Sequence, residues 1–143
     1  MQVEAPLVSW IVDYLTGRPQ FVRLKGCVSD RITSNTGAPQ GTVLSPFLFT
    51  IYTNDFQHRS ESCHLQKFSD DSAIVGCIKD GDEREYRALV EDFVSWCENN
   101  HLKLNVTKTK ELAVDLGRRR SAPVTPVSIR GSDVDLVEDY IYT

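Results

Sequence analysis

Apolar residues at Leu7, Trp10, Ile11, Tyr14 and Leu15 recur at spacings of three and four, which predicts the end of an amphipathic helix over 6–15, stopped by Gly17 and Pro19. The period then shortens to two. Phe21 to Lys25 and Val28 to Thr33 read as the strands of a hairpin that turns at Gly26-Cys27, and the turn formers from Asn35 to Gly41 predict a loop. Ser45-Pro46 matches a helix cap followed by proline at the first helical position, with a start nearer Thr42 also open. Phe47, Leu48, Ile51, Tyr52 and Phe56 carry that largely buried helix to about residue 56. Leu65 to Phe68 and Ala73 to Ile78 are strand candidates meeting at Ser69-Asp70-Asp71-Ser72, the second apolar on both faces as an interior strand is. The clearest helix, over 82–100, is marked by Tyr86, Leu89, Val90, Phe93, Val94 and Cys97. Beyond it, Leu102 to Leu104 and Glu111 to Leu116 look extended, and 117–126, with three arginines and two prolines, reads as a surface loop. Val127 to Arg130 and Val137 to Tyr142 are expected to form a last hairpin around Gly131-Ser132-Asp133. Helices and hairpins in this order predict an α+β layer with an antiparallel sheet packed against helices.

Composition narrows the classes without choosing a function. The 143 residues suit one domain or a piece of a larger one, and 41% hydrophobic with 25% charged residues is ordinary globular usage rather than a disordered or fibrous tract. The longest apolar stretches fall far short of the roughly 20 residues a spanning helix needs, and no secretory signal opens the chain, so an intracellular, membrane-free setting is expected. Cys27, Cys63, Cys77 and Cys97 form no Cys-x-x-Cys pair and are expected to be reduced and mostly buried. With His58, His64 and His101 at unrelated spacings, no zinc site is read.

The net charge of −4 is unevenly spread, residues 1–60 carrying five Lys/Arg against four Asp/Glu and the remainder eleven against sixteen. Such acidity argues against a freestanding nucleic-acid binder that relies on phosphate contacts alone. It leaves room for carboxylates that hold cations, since a bound metal ion reverses the local charge logic.

Two segments carry candidate chemistry. Asp70-Asp71 lies at a tight junction between strands; alone it is ordinary turn chemistry, because Asp hydrogen-bonds nearby backbone. Adjacent carboxylates beside a buried strand nevertheless repel each other, and a divalent cation is a common remedy. Gly37-Ala38-Pro39-Gln40-Gly41 precedes a helix and reads either as an entry loop or as a place where glycines let backbone approach a flat ligand while Gln40 offers its amide.

The order of segments adds what neither has alone. Gly37-Ala38-Pro39-Gln40-Gly41-Thr42-Val43-Leu44-Ser45-Pro46, then Ile51-Tyr52-Thr53-Asn54-Asp55, Phe68-Ser69-Asp70-Asp71, Trp96-Cys97, and Leu102-Lys103-Leu104-Asn105-Val106-Thr107-Lys108-Thr109 together strongly resemble the palm of reverse transcriptases of non-LTR retrotransposons. The resemblance runs from about Trp10 to about Lys110 and implies an incomplete polymerase palm, with fingers and thumb largely outside residues 1–143. It implies RNA-directed DNA polymerase activity on an RNA template, a DNA primer and deoxynucleoside triphosphates, with two Mg²⁺ ions held by aspartates. Asp70 matches the metal-binding carboxylate, Asp71 its paired position and Phe68 the aromatic before them. Pro39, Gln40 and Gly41 match the loop against template base and nucleotide, and Lys108 matches a lysine near the triphosphate, where a cation can neutralise or protonate the leaving group. Leu136 to Tyr142 resembles the start of the hairpin that grips the primer end.

Two departures qualify this resemblance. Ser69 stands where the family usually has Ala, a small-for-small change that should leave the turn intact. The family's first catalytic aspartate lies on a strand upstream of the Gly-Ala-Pro-Gln-Gly loop, and neither Asp13, in a helical stripe, nor Asp30, in a hairpin, replaces it. Residues 1–143 alone are therefore not expected to extend a primer. The rival reading is a non-catalytic retrotransposon remnant that at most binds nucleic acid or a partner. An unrelated α+β domain would require every motif to be coincidence. Oligomeric state is not readable from the sequence.

Overall fold

The computed structural model describes residues 3–115 and 125–140, and the chain divides into two compact units, Met1–Asn54 and Asp55–Thr143. In the first, α1 (Ala5–Leu15) ends where expected, with Gly17 at a φ of +61° turning the chain into β1 (Arg18–Gln20). β1 pairs antiparallel with β4 (Ile32–Ser34), and between them β2 (Arg23–Leu24) pairs with β3 (Cys27–Val28). The hairpin therefore turns at Lys25-Gly26, not at Gly26-Cys27. Both turn residues have positive φ, +26° and +89°, and glycine meets that demand when it is the second of the two.

The following helix, α2 (Leu44–Tyr52), starts earlier and stops sooner than the 46–56 read from sequence. Ser45 does not cap it, since the Ser45 hydroxyl donates to the Pro39 carbonyl instead. Nor is the helix largely buried. None of its residues is fully enclosed, and Phe47 and Ile51 are more than half exposed. A unit of 54 residues has too little chain to wrap a core around every apolar face.

The second unit holds the core. β5 (Cys63–Phe68) and β6 (Asp71–Gly76) form a six-rung antiparallel hairpin, and α3 (Arg84–Asn99) packs across one of its faces. Leu89, Val90, Phe93 and Cys97 are the buried stripe of α3, as its periodicity predicts. Val90 clusters with Val127, Ile129 and Val134, and Ile74, Tyr86, Val94, Leu104 and Val106 close around them. β8 (Ser128–Ile129) and β9 (Ser132–Asp133) make a short hairpin turning at Arg130-Gly131. β10 (Asp135–Val137) then pairs parallel with β7 (Lys110–Leu112).

The expected pairing of Val127 to Arg130 with the segment from Val137 is thus corrected. The turn residues Arg130 and Gly131, with φ of +54° and +75°, close the hairpin one strand earlier and free the next segment to lie beside β7. Among the described residues four of the five two-stranded sheets are antiparallel and the β7–β10 pair is parallel, in a mixed α and β arrangement. Leu102 to Leu104 lies outside the strands, and Cys27 and Cys77 are exposed where burial was expected, leaving Cys63 and Cys97 as the enclosed thiols. Arg118 to Arg120, nearly all of the 117–126 loop and the end of the tail lie outside the described residues.

Candidate active site

Alternation along a strand decides what the β5–β6 hairpin presents on each side. Phe68 opposes Asp71, Gln66 opposes Ala73 and His64 opposes Val75, so these six share one face; Lys67, Ser72, Leu65, Ile74, Cys63 and Gly76 share the other. The second face meets α3. Ile74 joins the Val90 cluster, and the Lys67 ammonium stands 5.9 Å from the centre of the Trp96 ring, which stacks with Phe93. The first face is open, with Phe68 72% exposed beside Asp71.

Only Ser69 and Asp70 separate the two strands, and Ser69 takes a φ of +55° to close the turn. Asp70 therefore occupies the apex and Asp71 is the first residue of β6, both exposed. They do not share a side of the sheet: Asp71 lies on the open face and Asp70 in the turn that ends it. Neither forms an ion pair among the described residues. Their hard oxygens suit a divalent cation such as Mg²⁺. No group of three or more His, Cys, Asp or Glu able to hold a metal forms among the described residues.

Tyr86 fastens this hairpin to the segment that bears Lys108. Its ring lies over Gly76 at the end of β6, and its hydroxyl donates to Glu111 Oε1 on β7 at 3.1 Å. Glu111 is buried and its other oxygen accepts the Val127 amide at 2.8 Å, so both carboxylate oxygens are satisfied. Burial, reinforced by the Glu111 charge, pushes the Tyr86 hydroxyl well above its ordinary pKa.

Upstream of β7, Asn105 gathers the loop that carries Lys108. Its carbonyl accepts the amides of Lys108 and Thr109 at 3.1 and 3.0 Å, while its side-chain oxygen accepts the Thr107 hydroxyl at 2.8 Å. Lys108 itself is exposed, whereas nearby Lys110 pairs with Asp135.

In the first unit the Gly37–Gly41 loop is held at both ends. The Arg18 guanidinium donates to the carbonyls of Thr36 and Gly37 at 2.6 and 2.8 Å and, through Nε, to the Leu15 carbonyl at 3.1 Å. At the far end, the Thr42 and Ser45 hydroxyls donate to the Pro39 carbonyl at 3.2 and 2.5 Å. Tyr14 Oη lies 2.7 Å from Thr42 Oγ1 and 3.3 Å from Ser45 Oγ. The Ser45 and Thr42 hydroxyls hold the Tyr14 hydroxyl below its ordinary pKa. Between these anchors Gln40 and Gly41 are exposed, Gly41 at a φ of +74°, and Pro39 is half-buried.

Asp70, Asp71 and Phe68 thus come together on one hairpin and Lys108 on a loop of the same unit, with Pro39, Gln40 and Gly41 on the first unit's loop. Sequence reasoning missed Tyr86, Glu111, Asn105, Arg18 and Tyr14. Asn105 carried a usable signal, since Asn followed by Thr-Lys-Thr is turn-forming chemistry. Tyr86 and Tyr14 were absorbed into apolar stripes, and no local pattern marks Arg18 or Glu111.

Comparison with known proteins gives a consistent result. The sequence profile of the reverse transcriptase (RNA-dependent DNA polymerase) family matches residues 1–130. The chain is 27% identical over 128 residues to a probable RNA-directed DNA polymerase from transposon X-element of Drosophila melanogaster, covering 84% of the chain and 14% of that protein. It is 28% identical over 142 residues to the probable RNA-directed DNA polymerase from transposon BS of the same species, covering 92% of the chain and 15% of the relative. To the RNA-directed DNA polymerase from mobile element jockey of Drosophila funebris it is 26% identical over 148 aligned positions, covering 95% of the chain and 16% of the relative. The chain therefore spans about one-seventh of the length of these relatives. No solved structure matches it.

Proposed function

Because the chain belongs to the reverse transcriptase (RNA-dependent DNA polymerase) family, we propose that residues 1–143 form part of the palm of a non-LTR retrotransposon polymerase that copies an RNA template onto a DNA primer. The observation that carries this reading is the two-residue turn that sets Asp70 at the apex of β5–β6 and Asp71 immediately after it, beside an open sheet face. A tight hairpin fixes adjacent carboxylates at an exposed edge, where a primer end and a triphosphate have room to reach them.

In this reading Asp70 and Asp71 contribute carboxylate oxygens to the metal set, and other parts of the polymerase contribute the rest. Two Mg²⁺ ions, when bound, would lower the pKa of the primer 3′-hydroxyl and neutralise the charge of the departing pyrophosphate. Phe68 offers an exposed ring on the same face as Asp71, against which a sugar or base can pack. Lys108 brings an exposed ammonium that can donate a proton or positive charge to the leaving group. The Gln40 amide, on its anchored loop, contacts the template base or the incoming nucleotide.

A second reading, a non-catalytic remnant that at most binds nucleic acid or a partner, is favoured by Asp13 and Asp30, neither of which replaces the family's first catalytic aspartate. Titrating the isotopically labelled chain with Mn²⁺ in place of Mg²⁺ tests the metal role. Paramagnetic broadening centred on the amides of Ser69 to Ser72 and removed by Asp70→Asn is the expected result. Broadening centred elsewhere, or unchanged by Asp70→Asn, would contradict it.

A further inference from the structure

We propose that Arg18 and Tyr14 are positioning residues that clamp the Gly37–Gly41 loop at its two ends and so fix the direction in which Gln40 presents its amide. The inference rests on the reading of Gln40 as a contact to template base or nucleotide. It is carried by a division of labour within the first unit. Arg18 spends three donors on the carbonyls of Leu15, Thr36 and Gly37, tying the end of α1 to the loop entrance. Gly17 adds a fourth tie, its amide donating to Asn35 Oδ1 at 2.7 Å. At the exit, Tyr14 from the same helix sits beside the Thr42 and Ser45 hydroxyls that both donate to Pro39. Arg18, the first residue of β1, therefore holds the Gly37 carbonyl, while the Thr42 and Ser45 hydroxyls, backed by Tyr14 of α1, hold the Pro39 carbonyl on the other side of Ala38.

Residues that merely closed an entry loop would have no need of this. Gly37, with a φ of +64°, and Gly41, with +74°, are positions where the chain would otherwise be most free, and nothing fills the space a Cβ would take at either. The anchored carbonyls are those of Thr36, Gly37 and Pro39, and Gln40, exposed, follows directly on the last of them. A loop with free glycines, immobilised carbonyls and one outward amide is preorganised to read a flat ligand, because the ordering cost is met before binding.

The test combines Arg18→Gln, Arg18→Lys, Tyr14→Phe and Gln40→Ala. In the 143-residue chain, Arg18→Gln is expected to speed amide exchange across residues 36–42 by about tenfold or more, the scale of losing charge-assisted hydrogen bonds, with the β5–β6 amides unchanged. Arg18→Lys restores only part of the protection, since one ammonium cannot match the guanidinium fork. With residues 1–143 replacing the matching segment of the X-element polymerase, Arg18→Gln and Tyr14→Phe should raise KM for the templated deoxynucleotide and weaken mismatch rejection as Gln40→Ala does, leaving kcat within about twofold. If Gln40→Ala changes those quantities and the Arg18 and Tyr14 variants do not, the clamp is overturned and the reading of Gln40 stands. If Gln40→Ala changes neither, the reading of Gln40 fails and the clamp fails with it. Unaltered loop exchange in Arg18→Gln overturns the clamp directly.

Discussion

The Tyr86 ring lies so close over Gly76 that a methyl group at Gly76 would stand 2.9 Å from Cδ2 and 3.1 Å from Cβ of Tyr86. Through that contact and its hydrogen bond to Glu111, Tyr86 joins the far end of the strand that opens with Asp71 to β7, which follows the Lys108 loop. A packing contact thereby holds two candidate catalytic elements of the second unit in one frame.

Gly76→Ala should destabilise the second unit by about 1–3 kcal/mol, the usual cost of forcing an extra carbon into a packed site. The backbone at Gly76 is not in the left-handed region, so the penalty is steric. Tyr86→Ala in the same background should remove the ring contact at 2.9 Å and with it part of the added cost, the contact with Cβ remaining. Urea unfolding of the two single variants and the double variant measures this coupling, and additive losses would show that the contact is not felt.

The raised pKa of Tyr86 predicts a loss of stability in alkali. Its hydroxyl ionises at a higher pH in the folded chain than in the unfolded one, so its contribution is complete below the unfolded value of about 10 and declines as pH rises through the folded value. Unfolding midpoints should fall above about pH 10, and Tyr86→Phe should flatten that fall. Equal slopes for parent and variant would remove Tyr86 as the cause.

Asn105→Ala should loosen the Lys108 loop without unfolding the unit, because it deletes the side-chain acceptor for the Thr107 hydroxyl and, at 3.3 Å, for the Lys108 amide while the Asn105 carbonyl remains. A loss of about 1 kcal/mol, or roughly fivefold faster exchange of the Lys108 amide, is the scale of one such bond. In the X-element graft it should slow incorporation less than Lys108→Ala, whose expected loss is about 10²- to 10⁴-fold. Nuclear magnetic resonance exchange rates and single-turnover kinetics report the two effects separately.

Much of the second unit was legible from sequence because periodicity and turn chemistry agree there. Tyr86 to Cys97 repeat at helical spacing, and polar Ser69-Asp70 splits two apolar runs. The first unit was harder to read. Its hairpin slipped by one residue, because Gly26 satisfies positive φ at the second turn position and its sequence neighbours do not announce which position that is. Ser45 looked like a cap from its place before Pro46, yet its hydroxyl is drawn to Pro39, a choice set by three-dimensional proximity. The parallel β7–β10 pair joins segments more than twenty residues apart, a separation that local patterning does not encode. Asp70 and Asp71 were singled out by motif order; Tyr86, Glu111, Arg18 and Tyr14 were hidden because they bond partners distant in sequence.

The 143-residue polypeptide, purified alone with Mg²⁺, an RNA template and an annealed DNA primer, should add no nucleotide, since neither Asp13 nor Asp30 replaces the family's first catalytic aspartate. Denaturing gels resolving single-nucleotide additions check this. Metal-dependent extension would show that the pair suffices.

The central claim is that Asp70 serves polymerase chemistry and not only a turn, and the most direct measurement is single-turnover nucleotide incorporation by the X-element polymerase carrying residues 1–143 in place of its matching segment. Asp70→Asn keeps the side chain's size and the hairpin but replaces a carboxylate oxygen with an amide that binds Mg²⁺ far more weakly. Incorporation should be abolished in Asp70→Asn while the unmutated graft extends its primer. An Asp70→Asn graft as active as the unmutated one would contradict the account and leave Asp70 as a turn residue.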